Sequence, residues 1–427
     1  MDKTKRRLVC LATGSAFDDD GLRNEEEGVA SLLRAEYAEE QFVVKQDAPG
    51  LYRYANWLPI DRYLSGSGTP VSFYTEGLAA RLKIKRLVVT FSGYWPERGA
   101  FMRTGSFKEC EAYSVCARFP YGAGSGNRLV IASAGNTARA FYRAANENNV
   151  PLLIVIPEKN LGKLIAVSEA QGGARVVAVG GGGDYFDAIT LANKICSRPG
   201  FINEGGAKNA ARRDGMGTTV LSAAEFTGEI PDVYVQAVGS GTGAIAAHEA
   251  NLRLNAGGLA PKIMKIAVVQ NAPFTPMTDV WVTRSRELAP MDIGEAKRRI
   301  AEIDAATLSN RMPPYGITGG LYDALAASDG LAGAVTNAEL RAAAALFEET
   351  EGCDICAEAG AALAYLIKLA NDGVIGDNEL VMINVTGGGL KRIQRDFAPR
   401  AVQPDYVMTP EEMADDKNID ALCEKLR

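Results

Sequence analysis

The chain has 427 residues, 47% hydrophobic and 23% charged, with 45 glycines and a formal net charge of −6. That length exceeds what one hydrophobic core usually carries, so two domains are expected. The acidic balance argues against general nucleic-acid binding, which needs a basic face, and no apolar run is long enough to span a bilayer; a local basic pocket for small anions stays possible.

The opening segment, MDKTKRRLVCLATG, has too short an apolar stretch for a signal peptide, and acidic residues follow it at once, so a cytoplasmic location is expected. Seven cysteines, an odd number, fit a reducing compartment. Cys353 and Cys356 form one CxxC with no second pair, whereas a structural zinc site needs four ligands. They are expected to pack as small hydrophobes, as are Cys110 and Cys116, and no metal is expected. His248 is the only histidine, which argues against a Ser-His-Asp triad or a histidine metal site.

Along the chain, a helical stretch is expected to open near Lys108 and run towards Arg118. RLVIAS (128–133) predicts a strand, and 137–149 a helix. PLLIVIP (151–157) predicts a second strand, followed by a helical stretch to Gln171 that Gly172 and Gly173 end. RVVAV (175–179) is a third strand. A run of four glycines, a helix over 184–196 and a short strand over 201–205 follow. Such alternation implies βαβ units and a parallel sheet.

A second set begins with the strand 233–238, the loop GSGTG (239–243), a helix over 244–254 and the strand 264–270. Residues 271–315 are irregular, rich in proline and charge, and are expected to cover the surface or an entrance. Helices are predicted over 339–350 and 358–372, and a last core strand over 379–386, closing on three glycines. From Pro399 a polar helical tail is expected.

Four motifs sit at turns of this pattern. TGSFKEC (104–110) places Lys108 after small polar turn residues. A lone lysine is usually a solvated surface residue, but one used for Schiff-base chemistry must be a neutral amine, a form that desolvation favours. SAGNT (133–137) lies between a strand and a helix, where Ser133, Asn136, Thr137 and backbone amides form a ready anion site; an ordinary helix cap is the simpler alternative. GSGTG lets backbone amides approach a phosphate. As a dinucleotide fingerprint it lacks the acidic partner, since Gln270 and Asn271 end the next strand. NVTGGG (384–389) puts the Thr386 hydroxyl at the carboxyl end of a strand, where ligands bind open α/β sheets.

The order of these motifs resembles the fold-type II pyridoxal-phosphate enzymes, and within them the threonine-synthase-like family. The match starts in YRYANWLPI (52–60) and GTPVSFYTEGLAARLKIKRLVV (68–89). It continues through the four motifs and EGCDICAEAGAALA (351–364), covering about Leu51 to Arg392. The resemblance implies a two-domain α/β fold like that of the tryptophan synthase β subunit, each domain a parallel-rich sheet flanked by helices. The large domain would comprise 1–121 and 211–427, and a smaller inserted domain 122–210 would carry the SAGNT loop. The resemblance implies pyridoxal 5'-phosphate held on Lys108 as a Schiff base, with Lys108 later shuttling the substrate α-proton. Asn136 would lie beside the ring hydroxyl. Gly239, Ser240, Gly241, Thr242 and Gly243 would cradle the phosphate, and Thr386 would bond the pyridine nitrogen. Ser133, Ala134, Gly135 and Thr137 would surround the substrate carboxylate.

Threonine synthases usually carry Asp-Arg-Gly after the lysine and Asn-Pro before the motif. Here stand Glu109-Cys110-Glu111 and Met102-Arg103, and Arg139 follows Thr137 by two. These departures resemble the cysteate synthases, relatives in the coenzyme M biosynthesis of methanogens. That resemblance implies small anionic substrates: the phosphate of O-phospho-L-serine would be replaced by sulfite, through an aminoacrylate, giving L-cysteate. Arg103 and Arg139 flank the motifs that would bracket the substrate and are candidates for its phosphate. The alternatives are threonine synthesis from O-phosphohomoserine, another pyridoxal-phosphate lyase or replacement enzyme, and a non-catalytic or dinucleotide-binding protein. A homo-oligomer is compatible with the family. The purified protein is expected to be yellow, and borohydride should trap the cofactor on one peptide; a trapped peptide without Lys108 contradicts the assignment.

Overall fold

The computed structural model describes residues 4–122, 124–133, 135–167 and 172–427. Two sheets carry most of the core. The larger has six strands, in the order Leu331–Val335, Lys265–Asn271, Val233–Ala237, Leu380–Val385, Arg86–Phe91 and Val71–Tyr74. The first five run parallel and the last antiparallel. Leu380–Val385 and Val233–Ala237 are buried at every residue. This is the pattern of a strand covered on both faces, and it explains why these strands are mostly apolar without alternation. One face packs on the helices Asn337–Glu351 and Ala357–Asn371, the other on Ala210–Thr227 and Thr242–Ala256.

The second sheet has five parallel strands, in the order Phe201–Asn203, Arg128–Ala132, Leu152–Pro157, Ala174–Val179 and Tyr406–Met408. Helices Lys108–Arg118 and Asn136–Asn148 cover one face, and Tyr185–Cys196 and Asp416–Leu426 the other. The α/β class with parallel-rich sheets flanked by helices is therefore as expected.

Two expectations are corrected. The described part of the stretch after Pro157 is not an α-helix. Glu158–Lys163 forms 3-10 turns, and Ile165–Ala166 is a strand paired with Arg400–Ala401; residues 168–171 lie outside the described residues. Cross-strand pairing overrides local propensity there. The segment after Pro399 is not a simple helical tail either. Its Tyr406–Met408 strand closes the edge of the second sheet, and only Asp416–Leu426 is an α-helix. The irregular 271–315 segment holds the helices Pro276–Trp281 and Ile293–Glu302. No helix among the described residues is long and apolar enough to cross a membrane.

A three-stranded antiparallel sheet, Ala16–Asp18, Arg6–Cys10 and Leu33–Tyr37, precedes both. Its anchor is Asp19, whose carboxylate is buried between Arg6 and Arg118 (2.7 Å). Arg118 also donates to Asn24 and Asn209. The C-terminal end of the Lys108 helix is thereby tied to the N-terminal sheet and to the cap of Ala210–Thr227. Burial pushes the Asp19 carboxyl up, but the two guanidiniums outweigh it and hold it at about 2. A depressed folded-state pKa stabilises the fold above the unfolded value and is lost as the pH falls through the folded one. Asp19→Asn is therefore expected to lower stability at neutral pH by about 2 kcal/mol. It should also flatten the loss of stability between pH 3.8 and about 2; denaturant titrations across that range check both.

Candidate active site

The carboxyl ends of the central parallel strands and the second sheet face one cleft of about 1120 Å³. The larger sheet contributes Gly239–Gly243 after Val233–Ala237, and Thr386 after Leu380–Val385. The second contributes Ser133, Gly135, Asn136 and Thr137 after Arg128–Ala132, and Lys108 lines the cleft between them. This is where open α/β sheets bind ligands.

Lys108 is the first residue of its helix, and the turn before it is pinned from two sides. The Phe107 amide donates to the Thr386 carbonyl (2.9 Å), the Gly388 amide donates to the Gly105 carbonyl (3.2 Å), and Ser106 bridges to Gly387. Gly105 adopts a φ of +65°, and a Cβ there would stand 2.7 Å from Leu390, so the turn favours glycine. On the other side the buried Glu109 carboxylate accepts from the Thr104 amide and hydroxyl, the Gly68 amide and Arg143 (2.6 Å). Lys108 Nζ is 3.2 Å from Glu111 Oε2. Burial lowers the Lys108 amine below the ordinary lysine value, against the opposing charge of Glu111. The neutral form that Schiff-base chemistry needs is thus favoured by the site.

At the 133–137 loop, Ser133 Oγ accepts from the Gly135 amide (3.4 Å) and the Ala138 amide (3.0 Å), fixing the start of the Asn136 helix. Asn136 Oδ1 accepts from Arg139 (3.1 Å), and Thr137 Oγ1 donates to Glu111 (3.0 Å). Ala134 lies outside the described residues. At the glycine loop, Gly241 has a φ of +78°, and a Cβ on it would stand 2.9 Å from Leu321. A Cβ on Gly239 would stand 2.6 Å from the Thr307 carbonyl, and one on Gly243 2.6 Å from Gln236. Ser240 and Thr242 hydroxyls are paired at 2.8 Å. The 15-residue helix that starts at Thr242 has no acidic residue in its first turn. The loop is therefore a cradle of backbone amides at a positive helix end, suited to a phosphate dianion. Thr386, 5% exposed, is a neutral hydroxyl at the carboxyl end of the neighbouring parallel strand, and Cys356 lines the cleft with it.

These donors fit pyridoxal phosphate: a desolvated amine, a glycine cradle for the phosphate, and a hydroxyl in place of an acid for the ring nitrogen. The comparisons agree. The family model of pyridoxal-phosphate dependent enzymes matches residues 80–387. Cysteate synthase of Methanosarcina barkeri is 41% identical over 93% of this chain and 95% of its own. That of Methanocella arvoryzae is 44% identical over 93% and 94%. The chain belongs to the cysteate synthase family of pyridoxal-phosphate-dependent enzymes. Among solved structures, maize serine racemase (TM-score 0.59, 14% identical, covering 77% of this chain and 91% of that one) shares the fold. So does a threonine deaminase of Solanum lycopersicum (TM-score 0.54, 17% identical, 76% and 83%).

In this cysteate synthase family member the four motifs expected to meet do line one cleft. The two arginines expected to flank the substrate do not. Arg103 is exposed and lies over the Phe397 ring (5.2 Å) outside the cleft lining, because the turn pinned on Thr386 directs it towards the chain after Gly389. Arg139 is also absent from the lining but sits directly behind Asn136, with its Nε lacking a hydrogen-bond partner. Sequence reasoning missed Glu111, Arg212, Glu204 and Cys356. Only Glu111 left a signal, an acid one helical turn after the lysine. Gly241→Ala is expected to weaken cofactor binding by at least about tenfold, because left-handed backbone and a blocked Cβ act together. Titrating the cofactor's visible band against added pyridoxal phosphate measures this; unchanged affinity would mean the loop does not hold the phosphate.

Proposed function

We propose that the protein replaces the phosphate of O-phospho-L-serine with sulfite, giving L-cysteate and inorganic phosphate. The observation that carries this is the joining of Lys108, the 133–137 loop, the glycine loop and Thr386 in one cleft of a chain 40–44% identical to cysteate synthases over most of its length. Bound pyridoxal phosphate supplies the electron sink at the substrate α-carbon. Gly239–Gly243 would hold its phosphate, Asn136 would flank its ring hydroxyl, and Thr386 would serve its ring nitrogen. A neutral hydroxyl there would leave that nitrogen largely unprotonated, which would favour elimination and replacement over transamination.

The amides and hydroxyls of Ser133, Gly135 and Thr137 bind the substrate carboxylate and orient the α-hydrogen. Lys108 removes the α-proton and later returns one to the α-carbon. Lys159, Lys163, Lys297 and Arg311 line the same cleft and raise the local concentration of anions in an acidic protein. They stabilise the phosphate as it leaves the β-carbon with the C–O pair, and they hold sulfite, whose sulfur lone pair makes the new C–S bond. Arg139, behind Asn136, is placed to add positive charge from the second sheet. The second sheet and its helices, residues 122–210 joined by the Tyr406–Met408 strand and the Asp416–Leu426 helix, act as a smaller body whose approach on carboxylate binding excludes water.

The test supplies phosphoserine and sulfite and measures cysteate and released phosphate, expected in equal amounts. Arg139→Ala is expected to lower turnover of phosphoserine by about ten- to a hundredfold while the cofactor's visible band persists. An enzyme that ignores this pair and makes threonine from O-phosphohomoserine would overturn the proposal.

A further inference from the structure

Glu111 is fully buried, and both of its oxygens are committed. Oε2 accepts from Lys108 Nζ at 3.2 Å. Oε1 accepts from Thr137 Oγ1 at 3.0 Å and from Arg212 at 2.9 Å. Arg212 is held in turn by the carboxylate of Glu204. The groups facing this carboxylate therefore come from four elements. Lys108 shares its helix, Thr137 opens the helix of the 133–137 loop, Arg212 lies in Ala210–Thr227, and Glu204 follows the strand Phe201–Asn203; Tyr185 lines the cleft nearby. A lysine followed by an acid three residues on is a weak stabiliser of an isolated helix, and an acid in the first helical turn gains only modestly from the helix dipole. Neither reason requires that the carboxylate be buried against the lysine's nitrogen.

We propose that Glu111 is a positioning residue that holds the Lys108 amine as a proton carrier and couples it, through Thr137, to occupation of the substrate-carboxylate loop. This rests on the reading of Lys108 as the residue that carries the cofactor and moves the α-proton. Two constraints lead to it. The Lys108 ammonium formed on taking a proton needs a counter-charge inside a desolvated site, and Glu111 is the carboxylate in contact with it. The Thr137 hydroxyl has one proton to donate. While the loop is empty, that proton is spent on Glu111 Oε1. A substrate carboxylate bound by Thr137 takes it away, leaving Glu111 with one donor fewer and more negative charge to present to Lys108. Substrate arrival then strengthens Lys108 as a base at the stage when the α-proton must be removed.

The test reads the protonation of Lys108 directly. Protein freed of cofactor with hydroxylamine is labelled with acetic anhydride across a pH series, and the Lys108 peptide is quantified by mass spectrometry. Losing the opposite charge destabilises the ammonium, so Glu111→Gln is expected to move the labelling midpoint down by about one unit or more. Glu111→Asp should restore most of the shift. Thr137→Val, which removes a donor from Oε1, should move the midpoint up. In the loaded enzyme the acid limb of the pH profile for turnover should move the same way in each variant. A purely structural role for Glu111 would leave the midpoint in place, and an unmoved midpoint in Glu111→Gln overturns the proposal while leaving the assignment of Lys108 intact. A borohydride-trapped peptide lacking Lys108 overturns both. If Glu111→Gln fails to fold, Thr137→Val decides alone, and an unmoved midpoint there overturns the coupling.

Discussion

The geometry of the cleft depends on a carboxylate that lies behind it. Glu109 is 1% exposed, one residue beyond Lys108. A carboxylate taken out of water costs several kcal/mol unless its lone pairs are met and its charge is paired. Here two backbone amides, one hydroxyl and the Arg143 guanidinium meet it. Satisfying that one charge fixes the Thr104–Lys108 turn, brings in the Gly68 strand entry and anchors the helix that carries Arg143. The hydrogen bonds from the same turn to Thr386 and Gly387 then dock it on the end of a central strand. Lys108 and Thr386, far apart in sequence, are thereby brought to the same cleft.

Charges around that volume alternate. Lys108, Glu111, Arg212 and Glu204 form a chain of opposite signs running from the cleft into the second sheet. Such a chain keeps each buried charge compensated while leaving the terminal amine less solvated than a surface lysine. Burial and neighbouring acids pull the lysine in opposite directions, and burial dominates. The glycine loop is suited to an anion through backbone amides and small hydroxyls, and it adds no cationic side chain near the lysine.

The residues that announced themselves in the sequence were those whose local chemistry is self-contained. Arg128–Ala132, Leu152–Pro157 and Leu380–Val385 are mostly apolar because both faces of their sheets are covered. The glycine loop was legible because close approach of backbone leaves no room for a side chain. Leu331–Val335, with the sequence LAGAV, was missed, since alanine and glycine give no β signal and its place at the sheet edge is set by pairing with Lys265–Asn271. Arg103 was misplaced because proximity in sequence to the lysine says nothing about which way a pinned turn directs its neighbours. Arg212 and Glu204 carried no signal because their meaning lies in a contact with Glu111 made across the chain. The roles given to individual side chains in the cleft were suggested by family resemblance, which the order of motifs made readable at once.

The Tyr406–Met408 strand has a consequence for how the protein is made. Ala174–Val179, with the sequence ARVVAV, is the strand it covers. As the chain leaves the ribosome, that strand is synthesised long before its neighbour, and every strand from Val233 to Val385 is completed in the interval. Until residue 406 emerges, the second sheet has a bare apolar edge of unpaired amides and carbonyls, the kind of edge on which other chains pair. Nascent protein is thus most prone to aggregate after the larger sheet can already form, and a ribosome stalled late in the message would release a chain whose glycine loop is finished but whose flank is open. A chaperone that binds extended apolar segments would find its target in this interval at Ala174–Val179.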